Sequence, residues 1–471
     1  MGVNSHLLAT TLAFLVGCVG SWDGDLIVHD GQVVRGPGWC PRSVHGDFIV
    51  TGLGGVPASL NCIRHIDGAL RIDGASTDSV VLAQLRTVGS HVAVVSPELV
   101  ELSLPNLRSV PSVTIDWAPR LRRLVLSDMD ENSALYLDAP LTSLDVGSLE
   151  TAGVIQLLET GLPDLGESFA SLRSAESLSV VEPFTDLAGV GLSEQAHIGQ
   201  LWVYGSAVST LSGLGCPWSD DLVLQSVSVT DVPACMLDSP LVTFIDLQHV
   251  ESVSYADGEL WLVDMPRLSQ VHYSGPSLWL MNVGLTNLEV EQDEPVFVSM
   301  RSTAARTVRI DAPGVLNMVN TIADSVDVKC GGDVSISGGT FHSLNVASPG
   351  AVQLSSASEL QTLDLSFADT SSLVLSDLNM TELPILPSKM ASLEVWNTQL
   401  RDLRGVEGIE VASHVTFHSM PALLDASSLA EIGWVGGDLN LVAAPLLDRE
   451  AVLAMRPMLE ERVAGSINLE P

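Results

Sequence analysis

His414 and His418 stand four residues apart in the segment His-Val-Thr-Phe-His. On a helix that spacing would set two imidazoles on one face. Val415 and Thr416 make the segment read as strand instead, and four strand residues span about 13 Å, too far for two ligands of one metal. Both are expected as surface or turn histidines. The run Asp128-Met129-Asp130-Glu131-Asn132 has the carboxylates of a calcium loop. It lacks the glycine at the sixth position and the glutamate at the twelfth that such a loop needs, and solvated loop acidity accounts for it better. Neither H-E-x-x-H, G-x-S-x-G, G-x-x-x-x-G-K-[ST] nor G-x-G-x-x-G occurs. No metal and no cofactor is expected.

The six cysteines are Cys18, Cys40, Cys62, Cys216, Cys235 and Cys330. None forms a C-x-x-C pair, so zinc and dithiol redox chemistry lack support. Residues 7 to 17 form an apolar run of the length of a signal-peptide core, too short for a bilayer span. Cys18 follows at once, and Leu15-Val16-Gly17-Cys18 resembles a bacterial lipobox, whose cysteine is lipidated and becomes the mature N-terminus. The resemblance implies a cell-envelope protein held to the membrane by lipid alone, on the outer membrane or cell surface. If Cys18 is incidental, the run is an ordinary secretory signal. In an oxidising compartment near neighbours would pair, as Cys40–Cys62 and Cys216–Cys235. Cys330 would be left as a buried apolar thiol.

Charge narrows the partners. The 471 residues include 57 Asp and Glu against 21 Lys and Arg, a formal charge of −36. Such a chain repels phosphate backbones and anionic headgroups, so nucleic acid is not an expected partner, and polyanionic substrates are disfavoured.

The elements that would position any of these groups are short and repeated. An apolar-x-apolar triplet recurs as Leu70-Arg71-Ile72, Val113-Thr114-Ile115, Leu178-Ser179-Val180, Leu201-Trp202-Val203, Leu222-Val223-Leu224, Leu260-Trp261-Leu262, Leu278-Trp279-Leu280, Leu393-Glu394-Val395 and Leu439-Asn440-Leu441. Many neighbours are about 20 residues apart, a solenoid period. A second set, among them Leu124-Val125-Leu126, Leu144-Asp145-Val146, Ile245-Asp246-Leu247 and Leu363-Asp364-Leu365, predicts two parallel strands per coil. Alternation buries the outer residues of each triplet and exposes the middle one. One coil cannot bury its apolar row alone, whereas stacked coils can. Asn282 and Asn397 follow strands and can hold the bends through local backbone bonds.

The stretch from Cys40 through Leu60-Asn61-Cys62-Ile63-Arg64-His65-Ile66-Asp67-Gly68-Ala69-Leu70-Arg71-Ile72 resembles the opening of a receptor L-domain, the leucine-rich right-handed β-helix of the insulin and epidermal growth factor receptors. One extra residue lies between Cys62 and Ile66, and beyond residue 72 only the general leucine-rich pattern continues. The resemblance implies a Cys40–Cys62 disulfide and a surface location, not a ligand. The fold expected is all-β: a right-handed leucine-rich solenoid with a short C-terminal helical cap. Residues 1–18 would be signal and lipidation site and 19–39 a tether. Residues 40–447 would be the solenoid, as one domain or two L-domain-like halves. Residues 448–471 would be a helix-strand cap, with the helix kinked at Pro457.

Parallel β-helix enzymes gather carboxylates on one sheet face. Here the outward Asp145, Asp246, Asp364 and Glu394 fall at least a coil apart, whereas catalytic pairs stand about 5 to 10 Å from one another. The outward positions also carry large apolar residues: Trp202, Val223, Trp261, Trp279 and Phe297. Exposed aromatics in a row mark a contact surface for protein or sugar. Covered by a loop or stacked as a ladder, they would be structural. The function expected is non-catalytic binding or adhesion at the cell surface, with an unknown protein or glycan as partner. A carbohydrate-active β-helix enzyme and a structural coat protein are the rivals.

Overall fold

The computed structural model describes residues 20–126, 129, 133–158, 168–181, 187, 190–193, 195–211, 214–360, 362–367 and 372–470. Strands make up about half of the chain, as a parallel β-solenoid of about 20 turns. Two compact units divide it, up to Pro240 and from Leu241. Cys18 and the acidic residues Asp128, Asp130 and Glu131 lie outside the described residues.

Coils of about 22 residues open the first unit, with two parallel rows from the start and a third from Ser79–Val81 on. One row stacks Ser21–Trp22, Ser43–Val44, His65–Ile66 and Thr87–Val88. The main row runs from Leu26–His29 through Phe48–Thr51, Leu70–Asp73, His91–Val95 and Ser112–Ile115 onward. A third row holds Ser79–Val81, Glu101–Leu104, Arg123–Leu126 and Ser143–Asp145. All three rows are parallel, and where they overlap the expected two strands per coil are three. The second unit does begin with two rows, led by Leu241–Ile245 and Ser252–Ala256. They run together in the long strands Gly314–Cys330 and Val334–Ser348.

The triplet rule places the core correctly at most positions. Leu70, Ile72, Leu201, Val203, Leu260, Leu262, Leu278, Leu280, Leu439 and Leu441 are all at most 1% exposed. Fully burying one such side chain contributes about 1.5–3 kcal/mol. Ile245-Asp246-Leu247 departs from the rule. The strand ends at Ile245, and Asp246 sits at a left-handed corner with φ 55°. The inward residues of that strand are Val242 and Phe244, both fully buried, and Leu247 is buried beyond the corner.

That corner recurs in register on successive coils as Asp246, Asp264, Asn282, Ser302, Asn320 and Gly338, all at positive φ. Asp, Asn and Gly tolerate this conformation best, which is why a stacked turn selects them. The asparagines do hold the bends, though not through the backbone. Asn282 Nδ2 donates to Asp264 Oδ1 (2.5 Å) and Asn397 Nδ2 to Asp377 Oδ1 (2.7 Å), each on the coil before.

Residues 20–39, expected as a tether, instead belong to the first coil. Leu26 and Val28 are fully buried, and their strand pairs with Phe48–Thr51. The Gly and Asp content that suggested a tether serves the turns instead, with Asp30 and Gly31 at positive φ between the two strands. The C-terminal helix is two short pieces, Arg449–Ala454 and Arg456–Glu460. Asp448 caps the first by accepting from the Glu450 amide (2.9 Å). Pro457 lies in the first turn of the second piece, where its missing N–H costs nothing. Ile467–Glu470 then adds the last strand against Leu439–Val442. No helix among the described residues is long and apolar enough to cross a membrane.

Cys40 and Cys62 are disulfide-bonded with Cα atoms 6.2 Å apart, and Cys216 and Cys235 with Cα atoms 5.7 Å apart. Cys330 is buried without a disulfide partner, and burial pushes its thiol pKa up to about 12. Each disulfide ties one coil to the next. Replacing Cys40 and Cys62 together by serine is expected to cost about 3 kcal/mol, since the closed loop restrains the unfolded chain. Urea unfolding with and without reductant checks this. A wild type whose midpoint ignores reductant would rule it out.

Candidate functional site

The side chains of Trp202, Trp261, Trp279 and Phe297 all leave the core, as alternation predicts. Their flanking residues already fill it. Leu201 and Val203 are buried while Trp202 is 40% exposed. Trp261, Trp279 and Phe297 are half-buried between buried neighbours in the same way. A slip of one residue would bury each ring and expose two aliphatic side chains, a net loss of buried apolar area.

Trp202 and Val223 are register partners in the first unit. Trp261, Trp279 and Phe297 belong to the second, and these three rings form a continuous series. Trp261 pairs in register with Trp279, and their rings stack with centroids 4.7 Å apart and planes 14° from parallel. Phe297 is not the next member of that column. Its strand places Ser299 opposite Trp279 and Phe297 opposite Ser277. The Phe297 ring reaches across diagonally instead, 4.9 Å from Trp279 and tilted by 47°.

The consequence is a gap in the ladder. Where a third large ring would stack, Ser299 supplies a small side chain, and beyond it in the same column stands Asn317. A groove of about 390 Å³ opens there. Trp279 walls one side and Asn317 the other. Met281, Arg301 and Val319 line the neighbouring outward column, which the register places beside the aromatic one. A flat apolar group entering at Ser299 would meet an indole and the Arg301 guanidinium, an arrangement suited to stacking plus one charge-assisted bond. Ser299, Arg301 and Asn317 were not singled out from the sequence. The signal was a break in the large-apolar outward column, readable only once the register of Val296–Arg301 is known.

The other residues with chemical potential are dispersed. His414 Nε2 lies 2.8 Å from Glu394 Oε1, while the His418 ring packs against Trp396 with centroids 4.9 Å apart. The two histidines thus have separate partners. Glu394 also accepts from Trp396 Nε1 (3.1 Å), and Asp145 accepts from the Gly147 amide (3.0 Å). Asp364 shares a column with Asn345 and Asp327, where Asn345 Nδ2 donates to Asp327 Oδ1 (2.9 Å). No group of three or more His, Cys, Asp or Glu placed to hold a metal ion occurs among the described residues.

Fold and groove together define a parallel β-solenoid that displays stacked aromatics on a sheet face. No protein-family model matches the chain, and neither a curated protein nor a solved structure does.

Proposed function

We propose that this protein is a non-catalytic binding protein of the bacterial cell surface, lipid-anchored through Cys18, which takes a protein or glycan partner at the groove beside Trp261, Trp279 and Phe297. The observation that carries the reading is the interrupted ladder. Two indoles stack in register, the position that would continue them holds the small Ser299, and a groove lies beside it. A ladder serving stability alone has no need of the opening. The L-domain-like start, with Cys40 and Cys62 bonded across the first coils, is in keeping with a surface display role.

The test is a glycan and envelope-protein binding screen with the soluble form lacking residues 1–18, followed by the double substitution Trp261→Ser and Trp279→Ser. Contact aromatics near the centre of a binding surface dominate affinity, so binding should fall at least about tenfold. The rings are half-exposed, and the stacked pair is worth about 0.5–1.5 kcal/mol, so the thermal midpoint should drop by a few degrees at most. Unfolding of the double variant, or binding that survives it, would return the aromatics to a structural role.

A further inference from the structure

The acidic balance of the chain hides a local exception. Arg42, Arg64, Arg86 and Arg108 recur at intervals of 22 residues, one per coil. Backbone bonds place them in one column: the Arg64 amide donates to the Arg42 carbonyl (2.9 Å), Arg86 to Arg64 (2.8 Å) and Arg108 to Arg86 (2.8 Å). Pro41, Ile63, Leu85 and Leu107 precede them and Val44, Ile66, Val88 and Val110 follow two residues on, all turned inward. The arginines therefore face out, three exposed and Arg64 half-buried.

None of the four guanidinium groups has an ion-pair or hydrogen-bond partner among the described residues. Arginines elsewhere in this unit do, as Arg120 with Glu98 and Arg123 with Glu101 (3.5 Å). His45 already engages the carboxylates nearby in sequence, at 2.5 Å from Asp67 and 3.9 Å from Asp23. Four like charges stacked at the coil spacing of about 4.8 Å repel one another, with no carboxylate in ion-pair contact among the described residues. A bound polyanion would relieve that repulsion. The net charge of −36 does not forbid it, because charges farther off than about 8 Å are screened at physiological salt.

Two further features specify the anion. The residues after the arginines, Ser43, His65, Thr87 and Ser109, make a parallel row of half-buried hydroxyl and imidazole groups. At the Arg42 end of the column Gly20 is the register partner of Arg42. The indole of Trp39, 49% exposed, lies over it, so that a Cβ on Gly20 would stand 2.9 Å from the ring. We infer that this corner of the first unit binds a linear anionic glycan, one sugar per coil. Each carboxylate or sulfate would pair with an arginine, ring hydroxyls would meet the polar row, and a terminal ring would pack on Trp39. An extended acidic peptide fits less well. Its side chains on one face repeat at about 6.6 Å, out of step with the coils, and it has no use for the hydroxyl row.

The experiment measures binding of the full chain to an oligouronate hexasaccharide and to a sulfated hexasaccharide. A neutral hexasaccharide, single-stranded DNA and polyglutamate are run alongside. Either anionic sugar should bind and the neutral one should not, and which of the two binds identifies the anionic group. Arg64→Gln with Arg86→Gln should weaken binding at least about tenfold and flatten its salt dependence. Both side chains are outward, so the thermal midpoint serves as the folding control. Trp39→Ala should weaken sugar binding alone. Trp261→Ser with Trp279→Ser should leave it unchanged, which separates this surface from the aromatic groove. Failure of both anionic sugars to bind at physiological salt, equal binding of DNA or polyglutamate, or indifference to the arginine substitutions would overturn the inference.

Discussion

Gly339→Ala is expected to destabilise the second unit by roughly 3 kcal/mol or more, through two costs that add. Gly339 has φ 103°, a conformation open to glycine and strained for any other residue. A Cβ there would also stand 2.0 Å from the Thr321 carbonyl oxygen of the preceding coil, its register partner. The backbone cannot yield without parting two coils whose strands pair along most of their length. Gly408→Ala is the comparison. Gly408 also has positive φ, 72°, but nothing lies within 4 Å of its would-be Cβ, so only the conformational cost of about 1–2 kcal/mol applies. Urea unfolding followed by tryptophan emission measures both. Equal losses would mean that the coil approach at Gly339 contributes nothing.

Cys18→Ala should move the protein from the membrane fraction to the soluble fraction. The anchor proposed is lipid alone, and membrane affinity rises by about 0.8 kcal/mol for each buried CH₂ of an acyl chain. Without the acylated sulfur, the net charge of −36 gives the chain as a whole no attraction to anionic headgroups. Fractionation and incorporation of labelled palmitate check the two halves of the claim. A Cys18→Ala protein still in the membrane fraction, with no label in the wild type, would remove the anchor and the envelope location with it.

The sites differ in how far they could be read in advance. The outward direction of Trp202, Trp261, Trp279 and Phe297 was legible, because alternation with buried leucines and valines forces it. The groove was not. It depends on the strand after Trp279 pairing so that Ser299, and not Phe297, stands opposite the indole. The chain between the two strands, which includes the strand Gly284–Glu291, sets that two-residue offset, and no periodicity reports it. The arginine column has the reverse history. Its 22-residue spacing stands in the sequence, but the total charge of the chain draws attention away from it, and only pairing shows that the spacing is one coil.

By itself the sequence determined the all-β class, the coil period and the buried face of most strands. These follow from apolar alternation, which is a local property of each segment. It also determined the disulfide partners, since near neighbours on adjacent coils are brought within bonding distance by the period itself. Only the tertiary structure decided that residues 20–39 make a coil, that Asp246 turns a corner, and which outward side chains become neighbours. Each coil pairs only with its neighbours, so these contacts depend on the register across one turn, which packing between the two coils settles and neither segment alone does.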